Sequence, residues 1–168
     1  MSEPRMLGLC GLARSTFQSW VRAGLDINDP GGAYGEGAVL RTALLVQVRE
    51  HLSLDDMVGA WRDFTASGAA TEFLNHARCL REDGRLDLVI EPEHAGMAIA
   101  RNDEELIAAV RHGNAPRPVI VVDVADRILH VLQSFRRMAK PGARPTERRR
   151  GRPRRSQGLR AIDSRRDS

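Results

Sequence analysis

The first strong hydrophobic pattern in the chain lies between residues 12 and 25. Apolar side chains recur there at the spacing of one face of an amphipathic helix: Leu12, Phe17, Trp20, Val21 and Leu25. Polar side chains occupy the other face: Arg14, Ser15, Gln18, Ser19 and Arg22. Gly24 follows and ends the pattern. The sequence therefore predicts a helix with Phe17, Trp20 and Val21 in the core.

Two further helices are predicted after a glycine-rich turn. Residues 28–32 contain a proline and two glycines and predict a tight loop or a small hairpin. Helical periodicity then resumes over residues 39–48, and after a break Ser53 is placed to cap a helix with Leu54, Met57, Val58, Trp61 and Phe64 on its apolar side. With a short leading helix over residues 4–9, residues 1–66 have the organisation of a compact winged helix-turn-helix.

Residues 67–138 mix helix and strand patterns. A helix centred on Phe73 is predicted to end at Gly84, and short strands are predicted over residues 86–90 and 97–100. Asn102 starts a helix that stops at Gly113, residues 118–122 predict a buried strand, and an amphipathic helix reaches Met138. The predicted fold class is α+β, mainly helical, with a small α/β dimerisation module over residues 67–138.

Charge is segregated between the body of the chain and its C-terminal part. The formal net charge is +4, yet residues 139–168 contain eleven basic and three acidic residues, so the remainder is mildly acidic. Charge concentrated in this way attracts phosphate and indicates a polyanionic partner. All but one of the 26 basic residues are arginine. An excess of arginine is also typical of a GC-rich genome. The polyanionic partner is therefore inferred from where the arginines lie in the chain, not from their number.

Three features occur in the same order as in the DNA-binding domain of the MerR family. The first is residues 11–25, with Gly11, Thr16, Phe17, Trp20, Arg22, Gly24 and Leu25 at matching places. The second is Tyr34, followed by an acidic helix start at Glu36. The third, residues 49–57, is similar to the family's Arg-Glu-Leu-Gly-Leu-Ser-Leu-Glu-Glu-Ile signature with one residue missing. Residues 4–66 therefore resemble a MerR-like winged helix-turn-helix.

The resemblance implies a recognition helix that enters the major groove of double-stranded DNA. The residues that it assigns to base edges and phosphates are Arg14, Ser15, Thr16, Gln18, Ser19 and Arg22, with Tyr34 contacting DNA from the wing. Arginine pairs with guanine and glutamine with adenine. The family's usual capping serine is Ala13 here. The alternative interpretation is an ordinary helical hairpin whose polar face is solvated.

The C-terminal tail contains a second resemblance, to the AT-hook. Residues 148–155 have a Gly-Arg-Pro centre between further arginines, and all are predicted DNA contacts: Arg148, Arg149, Arg150, Gly151, Arg152, Pro153, Arg154 and Arg155. The proline keeps the backbone extended while arginines enter a narrow minor groove. The alternative is a generic phosphate-binding or RNA-binding tail. Residues 139–168 are predicted to be disordered without nucleic acid.

The sequence does not indicate catalytic or metal chemistry. The candidate ionisable residues have neither metal-ligand nor nucleophile-and-base spacing: Glu91, Glu93, His94, His112, Asp123 and His130. Neither Cys10 nor Cys79 belongs to a C-x-x-C motif, which disfavours a structural zinc site or a redox motif. Both are therefore predicted to be buried and to behave as small apolar residues. We expect no enzyme activity, cofactor or metal. No stretch predicts a membrane span, and a cytoplasmic, nucleoid-associated protein is expected.

The predicted function is sequence-specific DNA binding by a bacterial or phage transcription regulator. A homodimer is expected, because one helix-turn-helix reads a short half-site and the last amphipathic helix has an apolar face to bury. Two alternatives share the DNA-binding module. One is a DNA segregation or nucleoid-organising adaptor that binds a centromere-like array and recruits a partner protein through residues 67–138; the other is an excisionase-like recombination factor.

Overall fold

The computed structural model describes residues 1–29, 32, 34–111 and 118–139. In chain order its elements are α1 (Glu3–Cys10), α2 (Arg14–Arg22), α3 (Glu36–Val48), α4 (Leu54–Ala66), α5 (Ala69–Cys79), β1 (Asp87–Glu91), a short 3-10 helix (Pro92–His94), β2 (Gly96–Ala100), α6 (Asp103–Val110), β3 (Ile120–Asp123) and α7 (Ala125–Ala139). The predicted mainly helical α+β class is confirmed.

Side-chain caps explain where two of the helices begin. Ser53 Oγ accepts a hydrogen bond from the Asp56 backbone N–H at 3.2 Å at the start of α4. Asn102 Oδ1 accepts one from the Glu105 backbone N–H at 2.9 Å at the start of α6. These oxygens pair with donors that a helix leaves unsatisfied in its first turn. Helix α2 differs, because Ala13 precedes it and offers no side-chain hydrogen bond.

Helix α3 lies at the centre of the hydrophobic core. Its side chains are buried in every direction, and a helix that is apolar all round needs neighbours on several sides. Helices α1, α5 and α7 supply them. With the exceptions of Val89 and Ala100, the buried apolar residues of segments 1–66 and 67–138 form one continuous cluster. Residues of the middle segment therefore complete the core of the N-terminal helices.

The three strands form one antiparallel sheet in the order β2–β1–β3. Leu88 and Ile90 of β1 belong to the main core, whereas Val89 lies between them and so points to the other face. On β3, Val121 pairs with Val89 but remains 43% exposed. The strand predicted over residues 118–122 exists, but the prediction that it is buried is wrong, because β3 lies at the edge of the sheet.

Helix α7 is the predicted C-terminal amphipathic helix, but its apolar face is already covered. Ile128, Val131 and Leu132 are at most 1% exposed, and α7 packs against α3 within the same chain. The face expected to join two subunits therefore belongs to the intramolecular core. In the described part of residues 67–138, the exposed large apolar side chains are Ile107, Val110, Val121 and Met138.

Several predicted features lie outside the described residues. They include all of the AT-hook-like stretch over residues 148–155 and the basic tail from residue 140, as well as His112 and the predicted helix end at Gly113. Among the described residues, no helix combines the length and apolar character needed to cross a membrane.

The two cysteines have different surroundings, although both were predicted to be buried. Cys10 is 0% exposed, and its burial raises the pKa of its thiol to about 12, against a smaller opposing effect of the Arg127 charge. Cys79 is exposed at the last position of α5, so the prediction for this residue is wrong.

This contrast predicts that one thiol per chain reacts with a thiol reagent at neutral pH in the native protein. The Cys10 thiol should stay unreactive, because it is both protonated and inaccessible. Counting modified thiols with and without denaturant tests this expectation, and Cys79→Ala should lower the native count to zero. Equal reaction rates for the two native thiols would contradict the buried position of Cys10.

Candidate nucleic-acid interface

Helices α1 and α2 are joined by a turn of three residues, Gly11, Leu12 and Ala13. Gly11 has a φ of 67°, a left-handed conformation that favours glycine and commonly ends helices. Leu12 is 5% exposed and anchors the turn in the core. From α7, Arg127 Nη2 donates a hydrogen bond to the Cys10 carbonyl at 2.7 Å. Contacts from both segments of the chain therefore fix this turn.

Helix α2 buries one side and exposes the other. Phe17 and Trp20 are 2% and 3% exposed, as predicted for core residues. The predicted contact residues on the helix are exposed, except for Thr16, which is half-buried: Arg14, Ser15, Gln18, Ser19 and Arg22. The helix contains no acidic residue. The structure therefore brings the predicted polar residues together on one accessible helix.

Val21 is exposed, contrary to its predicted place in the core. It lies seven positions after Arg14, which is about two helical turns, and so returns to the same side of α2. The exposed fraction of Val21 is 47%. The core position was predicted from the apolar character of Val21 alone. Its position along the helix instead places it next to the exposed residues Arg14, Gln18 and Arg22. The methyl groups of Val21 therefore lie at the edge of the polar surface.

Glu3 of α1 joins α2 to Tyr34, and sequence reasoning missed this residue. Arg14 Nε donates a hydrogen bond to Glu3 Oε1 at 2.9 Å, and the Tyr34 hydroxyl donates one to Glu3 Oε2 at 3.3 Å. The Tyr34 ring also packs edge-on against Phe17, with ring centroids 6.1 Å apart. Burial, and then the charge and hydrogen bond of Glu3, raise the pKa of Tyr34. The phenol is therefore protonated and serves as a donor at neutral pH.

The loop between α2 and α3 is held against the core by Arg41. Its Nη1 donates hydrogen bonds to the carbonyls of Ile27 and Asn28 at 3.0 and 2.8 Å and to Asp29 Oδ1 at 3.2 Å. The Asp29 carboxylate also lies against Gly37, where a Cβ would require the carboxylate to shift. Residues 30, 31 and 33 lie outside the described residues. The choice between a tight loop and a small hairpin therefore stays a prediction.

An open depression of about 450 Å³ adjoins α2 on the side of the α3–α4 junction. Its lining includes the hydroxyl-bearing Ser15, Thr16 and Ser19, together with Arg49. Arg49 is exposed and was not among the predicted site residues. The depression extends the polar surface of α2 toward the N-terminus of α4.

The described residues contain no group of three or more side chains placed to hold a metal ion. Of the ionisable residues considered for catalysis, Asp123 is the last residue of β3 and accepts a hydrogen bond from the Ala125 backbone N–H at 2.9 Å. His94 and His130 are exposed on separate elements.

Comparisons with known proteins give no family assignment. No protein-family model matches this chain, and neither a curated protein nor a solved structure matches it. The similarity to the MerR family rests on the residues quoted above.

Proposed function

We propose that this protein binds double-stranded DNA in a sequence-specific manner as a bacterial or phage transcription regulator. In this proposal α1 and α2 form the helix-turn-helix of a MerR-like domain, and the α2–α3 loop with Tyr34 takes the place of the wing. The observation that carries the proposal is the exposed polar face of α2 after a short, glycine-containing turn. A turn of this length between two helices is typical of helix-turn-helix proteins, whose second helix enters the major groove.

The chemistry of the α2 face suits a DNA duplex. Arg14, Gln18 and Arg22 follow one another at intervals of four and therefore share one side of the helix. Arginine offers paired donors to guanine, and glutamine pairs with adenine. The first turn of α2 has neither a side-chain cap nor an acidic residue of its own. Arg49 offers a further contact to the DNA backbone.

Replacement of Gln18 tests base recognition. Gln18→Ala is expected to remove about 1 to 3 kcal/mol of discrimination at one base pair, because glutamine reads a base edge through paired hydrogen bonds. Arg22→Ala should instead weaken binding to all sequences alike if Arg22 contacts phosphate. Titrations with duplexes that differ at single base pairs measure both effects.

The matched control for Gln18 is Gln133→Ala, which removes an exposed helical glutamine from α7. This control should leave affinity and discrimination unchanged. Discrimination that stays the same at every base pair in the Gln18→Ala protein would exclude Gln18 from base recognition.

A homodimer formed through residues 67–138 is part of the proposal, since one helix-turn-helix covers only a half-site. The apolar face of α7 is buried within the chain, so the surface proposed for the second copy contains Ile107 and Val110 of α6 and Val121 of β3. We expect the full chain to sediment as a dimer and the double variant Ile107→Asn/Val110→Asn to sediment as a folded monomer. A wild-type chain that stays monomeric with and without its duplex would contradict this part.

The biological role is tested by mapping the bound sites across the genome of origin. Sites scattered over promoters are the expected result for a transcription regulator. One tandem array would contradict regulation and favour segregation with a partner protein bound by residues 67–138. A site beside an integrase gene would favour the excisionase-like role.

A further inference from the structure

We propose that Glu3 is a positioning residue for base recognition, which holds Arg14 so that its terminal nitrogens meet a guanine in the major groove. This inference rests on the proposed DNA-binding function and adds a specificity-determining contact to it. Glu3 lies in the first turn of α1, and Arg14 is the first residue of α2. The short turn between these helices brings the two side chains together.

The geometry leaves one part of the Arg14 guanidinium free. Nε donates to Glu3 Oε1 at 2.9 Å, whereas neither terminal nitrogen has a hydrogen-bond partner within the described residues. The Arg14 side chain is 70% exposed, but that of Glu3 is only 24% exposed. A partly buried carboxylate therefore fixes an exposed guanidinium. Because the side chain is ordered before binding, less conformational entropy is lost when it meets DNA.

Tyr34 holds Glu3 from the other side. Its hydroxyl donates to Glu3 Oε2 at 3.3 Å, and its ring packs against the buried ring of Phe17. Both oxygens of the carboxylate are thus engaged, one by the loop and one by α2. The exposed Arg14 is connected through this chain of contacts to the core of the same helix.

The carboxylate favours a base over a phosphate as the partner of Arg14. Its negative charge offsets that of the guanidinium and repels a nearby phosphate. The two terminal nitrogens of Arg14 then present a pair of N–H donors in a fixed direction. In the major groove guanine presents two neighbouring acceptors, O6 and N7, which match that pair. The expected target is therefore one G·C base pair in the recognised sequence.

The test measures binding of the full chain to its selected duplex and to duplexes with each G·C pair replaced in turn. Glu3→Ala should lower discrimination at one G·C pair by about fivefold or more, the equivalent of about 1 kcal/mol. Affinity for unrelated duplexes should stay the same or rise, because a negative charge is lost. A purely structural role for Glu3 would lower both affinities together.

Three further variants sharpen this test. Glu3→Gln, which keeps the side-chain size and removes the charge, is the second variant if Glu3→Ala fails to fold. Tyr34→Phe keeps the ring and should lower the same discrimination by a smaller factor. Glu93→Ala removes an equivalent charge from the exposed 3-10 helix and should leave discrimination unchanged.

A double-variant comparison shows whether Glu3 acts through Arg14. Discrimination by Glu3→Ala/Arg14→Ala should be no lower than that by Arg14→Ala alone, because the first change has nothing left to position. Additive losses, or unchanged discrimination in Glu3→Ala, would overturn the inference and leave the proposed function standing. A wild-type chain without any base preference would overturn the proposed function and this inference together.

Discussion

Deletion of residues 140–168 is expected to weaken DNA binding and to flatten its dependence on salt. This segment contains Lys140 and ten arginines, against three acidic residues. Each neutralised phosphate contributes roughly −0.9 to the logarithmic salt slope, so the loss of about four contacts would change the slope by about 3 to 4 units. Base preference should persist, because α2 is untouched. Binding titrations at several salt concentrations measure both quantities.

The same assay can distinguish a minor-groove contact by the AT-hook-like stretch from general charge attraction. Arg152→Ala should weaken binding more than the matched control Arg165→Ala, and only on duplexes whose recognised site is flanked by A-tracts. If Arg152→Ala and Arg165→Ala weaken binding equally, on AT-rich and on GC-rich flanks, the tail is a generic cationic segment and not an AT-hook. A salt slope that deletion does not change would show that the tail does not contact DNA.

Truncation of a buried α7 side chain is expected to destabilise the N-terminal helices as well. Ile128 is 0% exposed and belongs to the core shared by both segments. Ile128→Ala should therefore lower the free energy of unfolding by about 2 to 5 kcal/mol. Trp20 and Trp61 report on this change, because both are buried within residues 1–66. Their fluorescence should follow the same denaturant transition as the circular dichroism of the whole chain.

The control is Met138→Ala, a truncation on the same helix α7 at a residue that is 44% exposed and lies outside the surface proposed for the second copy. It should change the free energy of unfolding by less than about 0.5 kcal/mol, as is usual for surface positions. A tryptophan transition that Ile128→Ala leaves unchanged would mean that residues 1–66 fold independently of α7. That result would contradict a single shared core.

Local signals in the sequence predict the helices and strands well. The apolar spacing around Phe17 and Trp20 places α2, and the oxygen-bearing Ser53 and Asn102 begin α4 and α6 by pairing with free backbone donors. The short strands β1 and β2 also lie close to where their short apolar runs predict them. These features depend only on residues that are close in the sequence, so apolar periodicity and capping residues are sufficient to predict them.

What a hydrophobic face packs against was not predictable from the same signals. Periodicity gives α7 an apolar side, but whether that side meets a second subunit or α3 depends on the tertiary arrangement. In the structure it meets α3. The position of β3 at the edge of the sheet, and hence the exposure of Val121, likewise depends on strand order.

The residues of the candidate site were also predictable only in part. The polar residues of α2 follow from one helical repeat, and the structure places them on one helix. Glu3 could not be found by spacing, because its contact with Arg14 depends on how the Gly11 turn orients α1 against α2. The hydrogen bond from Arg127 to the Cys10 carbonyl joins positions 117 residues apart and has no local signal at all.

Selection of duplexes from a random pool by the full chain tests sequence-specific binding through α2 most directly. We expect an enriched motif that contains one G·C pair whose recognition depends on Arg14 and one base pair whose recognition depends on Gln18. A folded variant with Arg14, Gln18 and Arg22 all replaced by alanine is the matched control and should not enrich that motif. Failure of the wild-type chain to enrich any motif, or enrichment of the same motif by both proteins, would contradict the account.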